Sequence, residues 1–331
     1  MSVKKKLASI VGATFIPEMI NKMYKGTKIV FYHGVIDKPI KNTIIQANQM
    51  SFTDFKKQIE YLDKNFEIIS IDEFKYRFEN RVLKGREVVI TFDDGYKNNL
   101  TVVAPYLNKK NIPYTIYICP LLTERNLRVP TYYARSSIYS GRLKEINIPI
   151  LRKVYNVETE ESKNIANKEL IDIIKTSRRE LVNEIIEDIK SNFSYEGLIE
   201  MNNDFESEEM LTVDEIKQLA AFPNCTIASH CDDHSILHQQ QSEETIKNQL
   251  IASRDKIINW VGKCDYFAFP NGNKDSVCDY SIEQVAKVYK MGFAVNGKNV
   301  SYNDNFGYIS RFSLAPNFYA FKVQVLILSN L

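Results

Sequence analysis

The sequence predicts an α/β protein built on a parallel sheet with crossover helices. Three observations lead there. Short β-branched and aromatic runs recur along the chain. They end in polar turns, as at Val88-Val89-Ile90-Thr91-Phe92 before Asp93-Asp94-Gly95. Segments with apolar residues at helical spacing separate them, which is the pattern of strands joined in parallel by helices.

Taken in order, the first strand is expected at 28–33, where Ile29, Val30 and Phe31 lead into Tyr32-His33-Gly34. A helix follows over 51–65, with Phe52, Phe55, Ile59 and Leu62 on one face and Asp54 near its start. Residues 66–71 read as a strand, 72–80 as a short helix and 87–92 as the buried strand already described. Residues 98–111 read as a helix whose start falls near Ala104, because Pro105 lacks an N–H and suits only a first turn. A strand is expected at 114–119.

From about 121 to 210 the alternation stops. Pro130-Thr131-Tyr132-Tyr133-Ala134-Arg135 is aromatic and basic, and 163–193 has helical periodicity. This stretch reads as a mostly helical insertion over one face of the sheet. It either shapes substrate choice or only extends the packing. Alternation then resumes. Thr212 and Glu215 form a capping box for a helix reaching about Ala221. A strand at 225–229 runs into His230-Cys231-Asp232-Asp233-His234. A helix is expected at 242–261, and a strand at 266–269 before Pro270-Asn271-Gly272. A helix over 281–291 is expected to close on Gly292 as its C-cap. Strands at 293–295 and 308–312 follow, and Phe318, Phe321, Val325 and Leu328 suggest a last helix.

Composition narrows the function. A chain of 331 residues, 44% hydrophobic and 25% charged, has ample material for a large core. A net charge of +2 gives no argument for a nucleic-acid partner. The five cysteines show no C-x-x-C pair and fit reduced thiols. Residues 1–27 read as an N-terminal helical segment docked on the body, with peripheral membrane contact as the sharper alternative. Lys4-Lys5-Lys6 before an apolar run resembles an export signal, but a small-x-small cleavage site is missing. The reading is a cytoplasmic protein, membrane-associated if that segment lies on a bilayer.

The chemistry concentrates at strand ends. Asp93 and Asp94 sit at the lip of a low-dielectric core, where carboxylates need a cation or hydrogen bonds. Neighbours on a strand end point to opposite sides, so one can bind a metal while the other handles a proton. A simple Asp-Gly turn is the plain alternative. His230 and His234 are four apart, and on a helical turn both imidazoles share a face. With Asp94 they would make a zinc site with open positions; two surface histidines are the alternative. His238 reads as the start of a solvated segment. His33 alone is either structural or catalytic.

Thr91-Phe92-Asp93-Asp94-Gly95, Ser229-His230-Cys231-Asp232-Asp233-His234 and Phe267-Ala268-Phe269-Pro270-Asn271-Gly272 resemble, in order and spacing, three motifs of the polysaccharide deacetylase family, carbohydrate esterase family four. The resemblance covers about 28–312 apart from the insertion. It implies a distorted (β/α) barrel with fewer than eight repeats, and a catalytic domain over 28–331 with the insertion at about 121–210. It implies Asp94, His230 and His234 as ligands of a divalent metal, zinc by preference, and Asp93 as general base. The substrate would be an N-acetylated amino sugar in a glycan, lipid-linked sugar or polysaccharide precursor. A non-sugar N-acyl amide, or a carbohydrate-binding protein without turnover, is the alternative.

Two departures stand out. No histidine follows His238 to supply the late acid motif. Tyr32-His33 resembles the circularly permuted arrangement, with the acid at the N-terminus. Ala268 stands where many members have an arginine; Arg311 either replaces it or is an ordinary strand-end arginine. Asn271 is expected to lend a backbone N–H to an oxyanion.

Overall fold

The computed structural model describes residues 26–326. The segment expected at 1–27 falls outside this range, Gly26 and Thr27 apart, as does Leu328. In chain order, β1 (Lys28–Tyr32) leads into a small sheet of β2 (Gly34–Ile36) and β3 (Gln49–Ser51). Then come β4 (Glu67–Ile68), β5 (Glu87–Phe92) and β6 (Tyr114–Ile118). The insertion holds an antiparallel hairpin, β7 (Glu145–Ile148) and β8 (Lys153–Asn156). After it lie β9 (Cys225–Ser229), β10 (Tyr266–Ala268), β11 (Met291–Val295) and β12 (Ile309–Ser313).

Seven of these strands close a ring in the order β1-β12-β11-β10-β9-β6-β5, with β5 returning to β1. Every pairing in the ring is parallel. This is the distorted (β/α) barrel with fewer than eight repeats that the sequence led us to expect. β4 flanks β5 outside the ring. Val30 of β1 faces both Phe312 and Ile90, so the two ends of the chain meet in adjacent strands.

Two-residue alternation sorts the strand residues. Val30, Val88, Ile90, Ile116 and Ile227 pack outward against helical residues such as Phe55, Ile59, Leu107, Ile216 and Leu250. Ile29, Val89, Tyr117, Ala228 and Phe293 fill the interior with Phe74 and Phe78 from helix Ile71–Glu79. Each such large apolar side chain contributes about 1.5–3 kcal/mol relative to exposure. The insertion, from helix Pro120–Glu124 through helix Tyr195–Asp204, has its own apolar cluster of Tyr132, Ile146, Leu170, Ile185 and Ile189.

Several boundaries differ from the expectation. The strand at 66–71 shrinks to Glu67–Ile68. The helix at 98–111 opens as a π-turn, Asn99–Val103, in which the Ala104 N–H bonds to the Asn99 carbonyl, before α-helix Ala104–Lys109. Pro105 has no N–H for an ordinary bond at that point, and the wider turn accommodates it. The run 163–193 is two helices, Glu160–Thr176 and Arg179–Ser191, because Ser177 and Arg178 are extended. Apolar periodicity continues across the break and hides it. The β7–β8 hairpin was not expected, although Ile146 and Ile148 alternate with exposed Glu145 and Asn147.

Gly292 is not a helix cap. Helix Asp279–Val288 ends before it, and Gly292 lies inside β11. A Cβ there would come within 2.5 Å of the Gly307 carbonyl and 2.4 Å of Val285 Cγ1. The glycine is required by close backbone approach.

Candidate active site

In a parallel barrel the carboxyl ends of the strands open onto the ligand crevice. His33 follows β1, Asp93 and Asp94 follow β5, His230 follows β9, and Asn271 lies just past β10. The ladders continue past the strands and fix these residues. Asp93 N–H donates to the Tyr32 carbonyl at 2.9 Å, and His230 N–H to the Ile118 carbonyl at 2.9 Å. His33, Asp93, His230, His234 and Asn271 line one cleft of about 270 Å³, at the small end for ligand pockets.

His230 and His234 do converge, but not by way of a helical turn. The segment after β9 is irregular, and Cys231 and His234 have φ of 63° and 65°. Asp94 and Asn271 have φ of 74° and 58°. Left-handed backbone at non-glycine residues costs on the order of 1–3 kcal/mol each and gathers where function needs a fixed geometry. Gly95, at φ +81°, completes the turn after β5; a Cβ there would meet Ile118 Cγ2 at 2.9 Å.

Asp94 Oδ1 lies 3.4 Å from His230 Nε2 and 3.2 Å from His234 Nε2. His230 Nδ1 is 2.7 Å from the Ala268 carbonyl. A carbonyl only accepts, so Nδ1 carries the proton and the Nε2 lone pair faces Asp94. Asp94 is 1% exposed. Its Oδ2 accepts from Asn48 Nδ2 at 3.3 Å, while Oδ1 is buried without a hydrogen-bond donor. The three ligand atoms lie within 4.8 Å of one another. A buried carboxylate oxygen without a donor, opposite the Nε2 atoms of two imidazoles, fits a divalent cation of zinc type.

Asp93 faces a different partner. Arg311 Nη1 and Nη2 donate to its two oxygens at 2.6 and 2.7 Å. Arg311 is fully buried on β12 and lies over the Phe31 ring, 4.6 Å from its centroid, and the Tyr117 ring, at 5.3 Å. It is not a surface arginine. The bidentate grip fixes the plane of the carboxylate.

His33 is partly exposed to the cleft, edge-on to Phe31. Its carbonyl accepts from Asn99 Nδ2 at 2.9 Å. Burial pushes the imidazole below its ordinary value, and Asp94 and Asp93 oppose that shift. His238, expected in a solvated segment, is buried instead, with Nε2 3.1 Å from the Ser177 carbonyl. The insertion covers that segment, which sequence order conceals. Asn48 and Asn99 also escaped the sequence reading; a lone asparagine in a loop or at a helix start carries no distinctive signal.

Fold and site together define a seven-stranded (β/α) barrel with a buried carboxylate–imidazole cluster suited to a divalent metal. The polysaccharide deacetylase family model matches residues 80–170, which include Asp93 and Asp94. No curated protein matches the chain. Among solved structures, the Streptococcus pyogenes deacetylase PplD in complex with acetate is similar, with a TM-score of 0.58 and 16% identity over 91% of this chain and 98% of that one. IcaB from Ammonifex degensii has a TM-score of 0.56 and 15% identity over 93% and 98% of the two chains. The BpsB deacetylase domain from Bordetella bronchiseptica has a TM-score of 0.51 and 15% identity over 87% and 95%. At these identities the likeness carries the barrel fold.

Proposed function

We propose that this protein is a metal-dependent hydrolase that removes the N-acetyl group from an amino sugar in a glycan or glycan precursor. One observation carries the reading: Asp94 Oδ1 and two imidazole Nε2 atoms converge without hydrogen bonding to one another, beside Asp93 and His33 in the same cleft. The family match at 80–170 supports the chemistry.

Asp94, His230 and His234 would hold the cation, and zinc suits two imidazoles and a carboxylate. When bound there, a divalent ion supplies Lewis acidity at the acyl oxygen and toward water. Asp93 takes the proton of the attacking water as general base. Arg311 keeps the Asp93 carboxylate in one orientation throughout. The Asn271 backbone N–H supports the developing oxyanion. His33 gives a proton to the leaving amine, which otherwise departs as a very poor leaving group. The products are acetate and a free amino sugar. In this reading the acid belongs to the N-terminal motif, the circularly permuted arrangement, and the closure of β1 against β12 supports it. Arg311 serves where many relatives are expected to use an arginine at the position of Ala268.

The test is acetate release from N-acetylated sugars of increasing length by zinc-loaded protein, followed by mass spectrometry. Loss of one acetyl mass per turnover, abolished in Asp93→Asn, supports the reading. Sugars bound but unchanged at every length would point to a carbohydrate-binding protein instead.

A further inference from the structure

The insertion brings unpaired cations to the cleft. Arg135, from helix Pro130–Tyr139, and Lys175, from the last turn of helix Glu160–Thr176, line the same cleft as His33, Asp93, His230 and His234. Both are partly buried. Burial lowers the Lys175 ammonium below its ordinary value, nearby Arg135 lowers it further, and Asp172 opposes this. Among the described residues neither charged head has a hydrogen bond or an ion pair; Asp172 acts on Lys175, and the buried Glu208 on Arg135, only at longer range.

The carboxylates of the cleft are already committed. Asp93 holds Arg311, and Asp94 faces the two imidazoles. Asp233 accepts from Arg179 Nε and from Ser235 Oγ. Two like charges in a partly desolvated cleft repel more strongly than they would in water. A helix C-terminus favours a lysine at the position of Lys175. It does not account for Arg135, which sits mid-helix. An anion between the two heads would relieve the repulsion. Arginine offers a planar fork for two oxygens and lysine a mobile point charge.

We propose that Arg135 and Lys175 form a cationic subsite that holds an anionic group of the substrate beside the reacting N-acetyl group. This deepens the deacetylase reading and rests on it: the amino sugar belongs to an anionic glycan or carries a phosphoryl group. Phosphoryl oxygens and a uronic carboxylate share the required chemistry.

Calorimetric titration of the full chain with inorganic phosphate, pyrophosphate and glucuronate separates those sources. It is run with zinc and after chelation, so that binding to a cation is told apart from binding to the subsite. At least one anion should bind the chelated protein, and Arg135→Gln and Lys175→Gln should each weaken it by about tenfold or more. Arg135→Lys and Lys175→Arg should restore most of the affinity, with melting temperature reporting that each variant folds. With a turned-over sugar in hand, the kcat/KM ratio of its phosphorylated to its neutral form should fall by about tenfold in either glutamine variant.

Equal anion affinity in wild type and both glutamine variants, or no binding of any of the three anions, would overturn the subsite. Acetate release without preference for charge would leave the deacetylase and remove the subsite. Anion binding lost in both variants, with no acetylated sugar turned over, would keep the subsite and remove the deacetylase.

Discussion

Replacing Arg311 by methionine probes the tightest link between barrel and cleft. The guanidinium is fully buried and Asp93 is 3% exposed, so solvent screens their attraction little. Two bonds, at 2.6 and 2.7 Å, join them. Methionine keeps much of the length and removes the charge, leaving Asp93 without its two strongest donors. Breaking a buried pair from one side costs roughly 3–5 kcal/mol. For a chain of 331 residues the unfolding entropy is on the order of 0.7 kcal/mol/K, so melting should fall by about 4–7 °C. Asp93→Asn strands the opposite charge and should cost a similar amount. The double variant removes both charges and should be more stable than the sum of the single losses implies, by roughly 2–4 kcal/mol. Urea unfolding of the four proteins, followed by far-ultraviolet circular dichroism, measures this coupling. A coupling under about 0.5 kcal/mol would refute the reasoning, because independent sites add to within that margin.

Three further outcomes are expected. Burial pushes the Glu208 carboxyl up to about 8, and its Oε1 has no partner. A raised carboxyl contributes stability that is fully present below its unfolded value and lost as pH rises through about 8. Glu208→Gln should therefore match wild type near pH 5 and exceed it near pH 9, by on the order of 4 kcal/mol; a difference that ignores pH in urea unfolding would count against this. His33→Ala should keep bound metal and lose about 100-fold or more in turnover. Because burial holds the His33 imidazolium down, the wild-type rate should decline with rising pH along a limb below about 6.5, and that limb should vanish in the variant; near wild-type rates would show that another group is the acid. Thr212→Ala removes the side-chain acceptor 3.3 Å from Glu215 N and should cost about 1 kcal/mol in denaturant unfolding, with kcat unaffected.

The strand ends were legible because their chemistry is local. Val88 to Phe92 reads as a strand whatever it packs on, and Asp93 and Asp94 follow it directly. The Thr212 capping box lies wholly within four residues and formed as expected. The convergence of Asp94 with His230 and His234 was expected, but the backbone that achieves it was not. The left-handed turn at Cys231 has no residue signature, and the enrichment of histidine in that region is too weak to mark His234. The grip of Arg311 on Asp93 spans 218 positions and depends on ring closure, so spacing could not distinguish it from an ordinary strand-end arginine. Asn48, which holds the second oxygen of Asp94, lies in a loop and has no periodicity to mark it. Gly292 misled because a glycine after an apolar helical run looks like a cap, whereas its actual constraint is a distant carbonyl, that of Gly307.

The most direct measurement is equilibrium dialysis of zinc against the chelated full chain and its Asp94→Ala and His234→Ala variants. One tightly held ion per chain is expected, with affinity reduced by about 100-fold or more in each variant and retained in His33→Ala. Zinc held equally well without Asp94 or His234, or no zinc held by the intact chain, would contradict it.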